Sequence, residues 1–223
     1  MNKGQILILS GCAGSGKGTV LSFFREKCDR IFYSVSCTTR FSRPGEQNDV
    51  HYHFITREAF QNMIARDEFV EYTEYCGNFY GTPRKPLLHA VENGKIAILE
   101  IETEGAIHIM DQFPDHLSVF IVPPDGLTLE NRLRKRGTES EEVIAKRMET
   151  ARNEILIASR YQHILINHEG KAMQVADAIL SLCNGVPVND PDVVVKDKNK
   201  FIKHYFNHTI KSKEVKNDDL SLR

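Results

Sequence analysis

The sequence holds no surplus of charge of either sign: 29 Lys and Arg stand against 30 Asp and Glu in 223 residues. So balanced a chain has no bulk attraction for nucleic acid or an anionic membrane, and neither is expected as a partner. Any anion it binds must meet a local site. Long hydrophobic runs are missing near the start as well. The first run, Ile6 to Leu9, is too short for a signal-peptide core or a membrane span. The five cysteines, Cys12, Cys28, Cys37, Cys76 and Cys183, include no pair at the short spacing of a zinc site or a redox motif. Without export they belong in a reducing compartment, so no structural disulfide and a cytoplasmic location are expected. Internal repeats are absent.

What is present reads as a globular chain, 41% apolar and 26% charged, long enough to bury a core. Gln5 to Ser10 is a continuous apolar stretch, as a buried parallel strand requires. Helical pattern follows from Gly16 to Cys28, then a strand over Ile31 to Ser36. Later strands are expected at Lys95 to Ile101, Leu117 to Val122 and His163 to Asn167. Helical stretches separate them at Glu104 to Gln112, Gly126 to Arg136, Ser140 to Tyr161 and Lys171 to Asn184. Such alternation implies an α/β fold with a mainly parallel sheet. From Cys37 to Glu92 the rhythm breaks. Aromatic strand-like pieces lie at His51 to Ile55 and Val70 to Tyr75, with a hairpin turn at Cys76-Gly77-Asn78. One helix, Arg57 to Asp67, is capped by Thr56. This reads as an inserted small domain of antiparallel strands and one helix. Beyond Asn184, a Gly/Pro-rich linker signal leads into a Lys- and Asp-rich extension, 185–223. In it Phe201 to Phe206 can dock as a short helix, and the end beyond Ile210 is expected to be disordered.

Gly11-Cys12-Ala13-Gly14-Ser15-Gly16-Lys17-Gly18-Thr19 follows the first strand and opens the first helix. In that setting the glycines let backbone N–H groups wrap a phosphate and the helix N-terminus favours the anion. Lys17 can reach the β- and γ-phosphates of ATP. The strict pattern wants a hydroxyl directly after the lysine, and Gly18 stands there, with Thr19 one place later. The Gly-Lys-Gly-Thr form resembles loops of nucleoside monophosphate kinases, which implies magnesium held largely by phosphates and water, and no first-shell protein ligand is assigned. Cys12 has two readings: a thiol with a pKa lowered by the helix N-terminus, or a small residue filling the turn.

Arg40 and Arg43 lie three apart on a loop flanked by Pro44-Gly45, and two guanidinium forks can clamp one phosphate. Tyr52 and Tyr80 can add hydroxyl donors. Guanine offers two adjacent donors, N1–H and the 2-amino group, beside an acceptor at O6. One carboxylate can accept both donors, and hydroxyls can donate to O6.

The run Ser34-Val-Ser36-Cys-Thr38-Thr39-Arg40-Phe-Ser-Arg43-Pro-Gly45-Glu46, with Tyr52-His-Phe54, resembles the guanylate kinase family. So do Glu68-Phe-Val-Glu71 through Tyr80-Gly81-Thr82-Pro83, and Arg136-Gly137-Thr138-Glu139. The resemblance spans about Gln5 to Cys183. It implies a P-loop NTPase-type core with helices on both faces of a parallel sheet (1–36 and 94–184), an inserted mixed α+β GMP-binding subdomain (37–93) and a helical lid (about 133–148). It also implies Mg2+-dependent phosphorylation of GMP, and of dGMP, by ATP in purine metabolism. Arg40, Arg43, Tyr52 and Tyr80 would be the GMP phosphate ligands, and Glu71, Ser36 and Thr82 the guanine readers. Arg132, Arg136 and Arg147 would supply lid charge to the moving phosphoryl group, and Asn167 would lie near the adenine. The sequence departs from the family at His51, where Asp is usual, and at Glu100-Ile-Glu102, which replaces an Asp-x-Asp. Either carboxylate, Glu102 included, can orient magnesium water or the guanine. Two other readings stay open: a kinase for a different phosphorylated acceptor, which should lack the base-reading set, and a catalytically dead partner-binding module, which should lack the phosphate loop.

Overall fold

A computed structural model describes residues 3–75, 77–135 and 140–207. Arg136, Cys76 and the tail beyond Ile210 thus lie outside the described residues. In chain order the elements are β1 (Gln5–Ser10), α1 (Lys17–Lys27), β2 (Ile31–Tyr33), β3 (Cys37–Thr38), β4 (His53–Phe54) and α2 (Arg57–Ala65). Then come β5 (Phe69–Tyr75), β6 (Asn78–Pro83), α3 (Arg84–Glu92), β7 (Ile96–Glu100), α4 (Thr103–Gln112) and β8 (Leu117–Val122). The chain continues through α5 (Gly126–Lys135), α6 (Glu141–Ile157), a 3-10 turn (Ala158–Arg160), β9 (His163–Ile166), α7 (Ala172–Cys183) and α8 (Lys198–His204). Two compact units divide them: Met1–Leu9 with Asp29–Leu117, and Ser10–Cys28 with Ser118–Arg223.

In the first unit β1 and β2 both pair parallel to β7, with Leu7 opposite Ile98 and Tyr33 opposite the same residue. Leu7, Ile8, Ile98 and Leu99 are buried, which is why these strands read as continuous apolar runs rather than alternating ones. The same unit carries a second, four-stranded sheet ordered β4-β3-β6-β5. Its β3–β4 contact is parallel, so the expected all-antiparallel insert is corrected to a mixed sheet. Two helices, not one, accompany it, because α3 follows β6 directly. Phe60 of α2 stacks on Phe69 and Phe79 with ring centroids at 4.4 and 5.2 Å, and Cys37 closes this small core. Thr56 caps α2 through its hydroxyl, which accepts from the Ala59 N–H at 3.1 Å. The helix stops at Ala65, two residues before its expected end, where the chain turns into a left-handed Asp67 (φ 54°).

In the second unit β8 pairs parallel to β9, Val119 opposite His163 through Val122 opposite Ile166. Every residue of β8 is buried. Helix α1 packs along α7, and Lys27 forms an ion pair with Asp177 between them. The extension is not a plain linker. Val193 and Tyr205 are buried, and α8 forms where the sequence allows a short helix, starting three residues earlier than Phe201. No described helix is long and apolar enough to cross a membrane.

Candidate functional site

The turn after β1 is shaped by two close approaches. A side chain at Gly11 would put its Cβ 2.2 Å from the Ile121 carbonyl oxygen, and one at Gly16 would stand 2.5 Å from Asn167 Nδ2. Gly16 also adopts φ 86°, in the left-handed region, as it hands the chain to α1. Glycine is thus required at both places by contact with neighbours as well as by the turn. The Lys17 ammonium, on the first turn of α1, donates to the Gly11 carbonyl across the loop. The Ser15 carbonyl is the meeting point of two side chains from elsewhere in the same unit. Asn167, at the end of β9 and 4% exposed, donates through Nδ2 at 2.8 Å. Arg132, on α5, reaches the same oxygen at 3.5 Å and donates to the Asn167 carbonyl at 2.8 Å. Ser15 Oγ and Asn167 Oδ1 are buried and have no hydrogen-bond partner among the described residues. Ala13, Gly18 and Thr19 face outward, and a Cβ at Gly18 would meet nothing within 4 Å.

Burial decides between the two readings of Cys12. Its thiol is buried beneath the loop, 3.9 Å from the Ala151 carbonyl, and burial pushes its pKa well above the usual thiol value, with Glu154 adding to the rise. Of the two readings the lowered pKa falls away, because desolvation outweighs the opposing charge of Lys17. Cys12 fills the turn. Arg132, expected on or beside the lid, is bonded to the loop and to Asn167. Arg147 stands on α6, half-buried, and Arg136 lies outside the described residues.

In the first unit, the register of β5 against β6 sets Glu71 opposite Thr82 and Thr73 opposite Tyr80. Alternation puts Glu71, Tyr80 and Thr82 on one face of the hairpin. The Thr82 hydroxyl donates to Glu71 Oε1 at 2.6 Å, and both residues are buried. Burial raises the Glu71 pKa, opposed by the Thr82 hydroxyl and by His108 on α4. A β-bulge between Phe69 and Glu71 is braced by Gln112, whose Nε2 donates to the Val70 carbonyl at 3.0 Å. Ser36 is half-buried just before β3, and its carbonyl accepts from the His53 N–H at 2.9 Å.

The arginine loop folds back on Glu46. Both Arg40 Nη atoms donate to its two carboxylate oxygens at 2.9 Å, and the Arg43 N–H donates to Oε2 at 2.7 Å. The Arg40 guanidinium, seconded by the Arg43 N–H, brings the Glu46 carboxyl down to about 2, so it is ionised at neutral pH. Arg40 lies over the Tyr52 and Phe54 rings at 5.5 and 5.8 Å from their centroids. Tyr52 sits edge-on to Tyr80 at 6.0 Å, and burial pushes its phenol up, so it stays a neutral donor. The Arg43 side chain is exposed. His51 and His53 have local partners: His51 Nδ1 accepts from the Gln47 N–H at 3.0 Å, and His53 Nδ1 is 2.6 Å from Asp49. Glu100 accepts from the Tyr33 hydroxyl at 2.8 Å, while Glu102 stands at the N-cap of α4 without capping it through its side chain.

The guanylate kinase family model matches residues 3–180, the stretch that holds both the glycine loop and the hairpin just described. The chain belongs to the guanylate kinase family. It is 46% identical over 169 residues to the guanylate kinase of Carboxydothermus hydrogenoformans, covering 76% of this chain and 83% of that one. To the Desulfitobacterium hafniense guanylate kinase it is 45% identical over 168 residues, 75% of this chain and 84% of the other. The crystal structure of guanylate kinase from Anaplasma phagocytophilum matches with a TM-score of 0.67 and 31% identity, over 86% of this chain and 90% of that one. Within this family member, sequence reasoning left two partners unassigned. One is Glu46, whose place three after Arg43, across a Pro-Gly turn, is a readable signal for a carboxylate folding back. His108 had no signal, since only the packing of α4 brings it towards Glu71.

Proposed function

We propose that this guanylate kinase transfers the γ-phosphoryl group of ATP to the phosphate of GMP, giving ADP and GDP. The bond from the γ-phosphorus to the β–γ bridging oxygen breaks, and one forms to a GMP phosphate oxygen. That oxygen is already ionised, so no general base or covalent intermediate is needed, and catalysis is positioning plus charge stabilisation. The observation that carries the reading is the buried, Thr82-bonded Glu71 in a chain that also holds an intact phosphate loop. Glu71 accepts guanine N1–H and the 2-amino group, with Ser36 and Thr82 beside it. Arg40, Arg43, Tyr52 and Tyr80 hold the GMP phosphate. Residues 11–19, Lys17 above all, hold the ATP phosphates, with Asn167 on the nucleotide side and Arg132, Arg136 and Arg147 supplying positive charge. In domain terms, 37–93 takes GMP, about 133–148 forms the lid, and 185–223 is an extension.

Magnesium suits these residues when it arrives with ATP. Gly18 offers no hydroxyl directly after Lys17, so the ion would be held by phosphates and water, and Glu100 or Glu102, the latter without a side-chain cap bond, could orient magnesium water or the guanine. The ion would shield phosphate charge. A cytoplasmic location, expected from the sequence, stays part of this reading, as does dGMP as a second acceptor.

The test is ADP release from Mg-ATP with GMP, dGMP, AMP, UMP and CMP offered in turn. Turnover confined to the two guanine nucleotides is expected. Preference for any other acceptor would discard the role of Glu71.

A second test follows from α4. Gly105 lies in its first turn, where a Cβ would stand 2.7 Å from Glu71 Oε2. Alanine there should help the isolated helix by about 1 kcal/mol, yet it must displace the carboxylate. Gly105→Ala is expected to raise the GMP KM about ten-fold with the ATP KM unchanged, a loss of about 1.4 kcal/mol in binding, of the order of one charged hydrogen bond. Adding Glu71→Asp, one methylene shorter, should recover part of the loss. Unchanged GMP kinetics in Gly105→Ala would mean the carboxylate does not touch the base.

A further inference from the structure

Residues 185–207 lie beyond the stretch matched by the family model, yet they hold both elements that meet at the Ser15 carbonyl. On one side, the extension adds an antiparallel edge to β9. The Ile166 N–H donates to the Val193 carbonyl at 2.7 Å, the Val195 N–H donates to the Ile164 carbonyl at 3.0 Å, and Val194 bridges Leu165. Asn167 is the next residue of that strand. On the other side, Tyr205 grips the turn from β8 into α5. Its hydroxyl donates to the Pro123 carbonyl at 3.0 Å, and its own carbonyl accepts from the Gly126 N–H at 2.9 Å. Gly126 opens α5, and its N–H is one of the first-turn donors that no helix can satisfy internally. Arg132 lies two turns along the same helix.

Between these grips Lys198 donates to the Ser159 and Tyr161 carbonyls at 3.2 and 2.7 Å, fixing the start of α8 against the 3-10 turn. Phe206 lies under the Arg152 guanidinium at 5.3 Å, and Tyr205 meets Phe201 and Phe206 edge-on. Tyr205 is 3% exposed. Burial holds its phenol far above the ordinary value, Cys12 and Asp125 add to this, and Arg132 opposes it. The residue therefore sits within electrostatic range of the phosphate loop and of the arginine that braces it.

We infer that the segment 193–206 is a positioning strap for the ATP side, with Tyr205 as the positioning residue that sets α5 so that Arg132 stays on the Ser15 and Asn167 carbonyls. Tyr205 touches no reacting atom. It acts through the helix that it caps. The inference rests on residues 11–19 binding the ATP phosphates.

Tyr205→Phe keeps the ring and removes only the hydroxyl, leaving the Pro123 carbonyl without its donor. Mg-ATP affinity is measured by calorimetry with no acceptor present, beside steady-state KM values and the melting temperature. The expected result is ATP affinity and ATP KM weaker by about five- to ten-fold, the worth of one buried hydrogen bond, with the GMP KM moved by less than about two-fold. In an Arg132→Ala background the same change should add almost nothing, because the two residues act in series. A lower melting temperature with unchanged ATP affinity, equal weakening of both substrates, or a full effect added on top of Arg132→Ala would each overturn the strap as a positioning device. Wild-type protein that fails to bind Mg-ATP at all would overturn the phosphate-loop reading as well, and so tells the two failures apart.

Discussion

Lys17→Ala is expected to lower kcat by about 10³-fold while the protein stays folded, the scale seen when one preorganised charge or donor is removed from a transition state. Lys17 is partly exposed at the start of α1, and its ammonium bonds only to the Gly11 carbonyl across the loop among the contacts described. Losing that bond costs roughly 1 kcal/mol of stability. The catalytic loss is larger because the ammonium serves charge that grows as the γ-phosphoryl group leaves. Lys17→Met, which keeps the stem, should be as inactive as Lys17→Ala and melt within about 2–4 °C of wild type, the shift that roughly 1 kcal/mol produces in a chain of this size. The measurement is ADP release with saturating Mg-ATP and GMP, paired with a thermal melt. Near-normal turnover in either variant would remove Lys17 from the phosphates. Parallel loss of activity and of the folded state would assign it to the loop's architecture instead.

The elements that the sequence made legible are those whose residues have a single environment. β8 falls on the expected Leu117 to Val122 because all six residues are buried, so its apolar run has clean ends. The turn of residues 11–19 is legible because glycine spacing, a strand before and a helix after are all local. Elements set by distant contacts were harder to read. Helix α3 carries Pro86 in its first turn, where the missing N–H costs nothing, but Pro83 and Pro86 together read as a break. It buries only Leu87 and Ala90, too thin a stripe to announce a helix. β2 ends at Tyr33, short of Ser36, because the chain leaves β7 there to enter the second sheet at Cys37. At the candidate site, the residue types were readable and their settings were not. That Arg132 would brace the phosphate loop, that Cys12 would be desolvated and that Glu46 would orient Arg40 depend on who lies opposite. The extension is the extreme case. Its Gly/Pro-rich start reads as a linker, and two buried residues far apart in it, Val193 and Tyr205, belong to the second unit.

Glu71→Gln is expected to cut kcat/KM for GMP by about 10²- to 10³-fold and to leave Mg-ATP binding intact. Two charge-assisted hydrogen bonds to guanine are lost, each worth roughly 1.5–3 kcal/mol, and the new amide N–H₂ faces donors it cannot serve. The fold should not suffer. Glutamine Oε1 can still accept from Thr82, and the change removes a buried charge. The sign follows from burial, which raises the folded pKa of Glu71 above its unfolded value. Between those two values the folded protein binds more protons than the unfolded chain, so stability falls as pH rises across that window. Glu71→Gln should therefore be as stable as wild type at neutral pH, or more so, and should lose that part of the pH dependence. Activity runs the other way in wild type. The guanine needs the ionised carboxylate, so the GMP KM should climb as pH falls through the raised pKa, and the variant should show no such climb. GMP and ATP KM values for both proteins across the mildly acidic range, with melts at each pH, decide the matter. A GMP KM that climbs equally in both proteins would place the titrating group elsewhere, and a variant with wild-type GMP turnover would end the case for Glu71 as the reader of guanine.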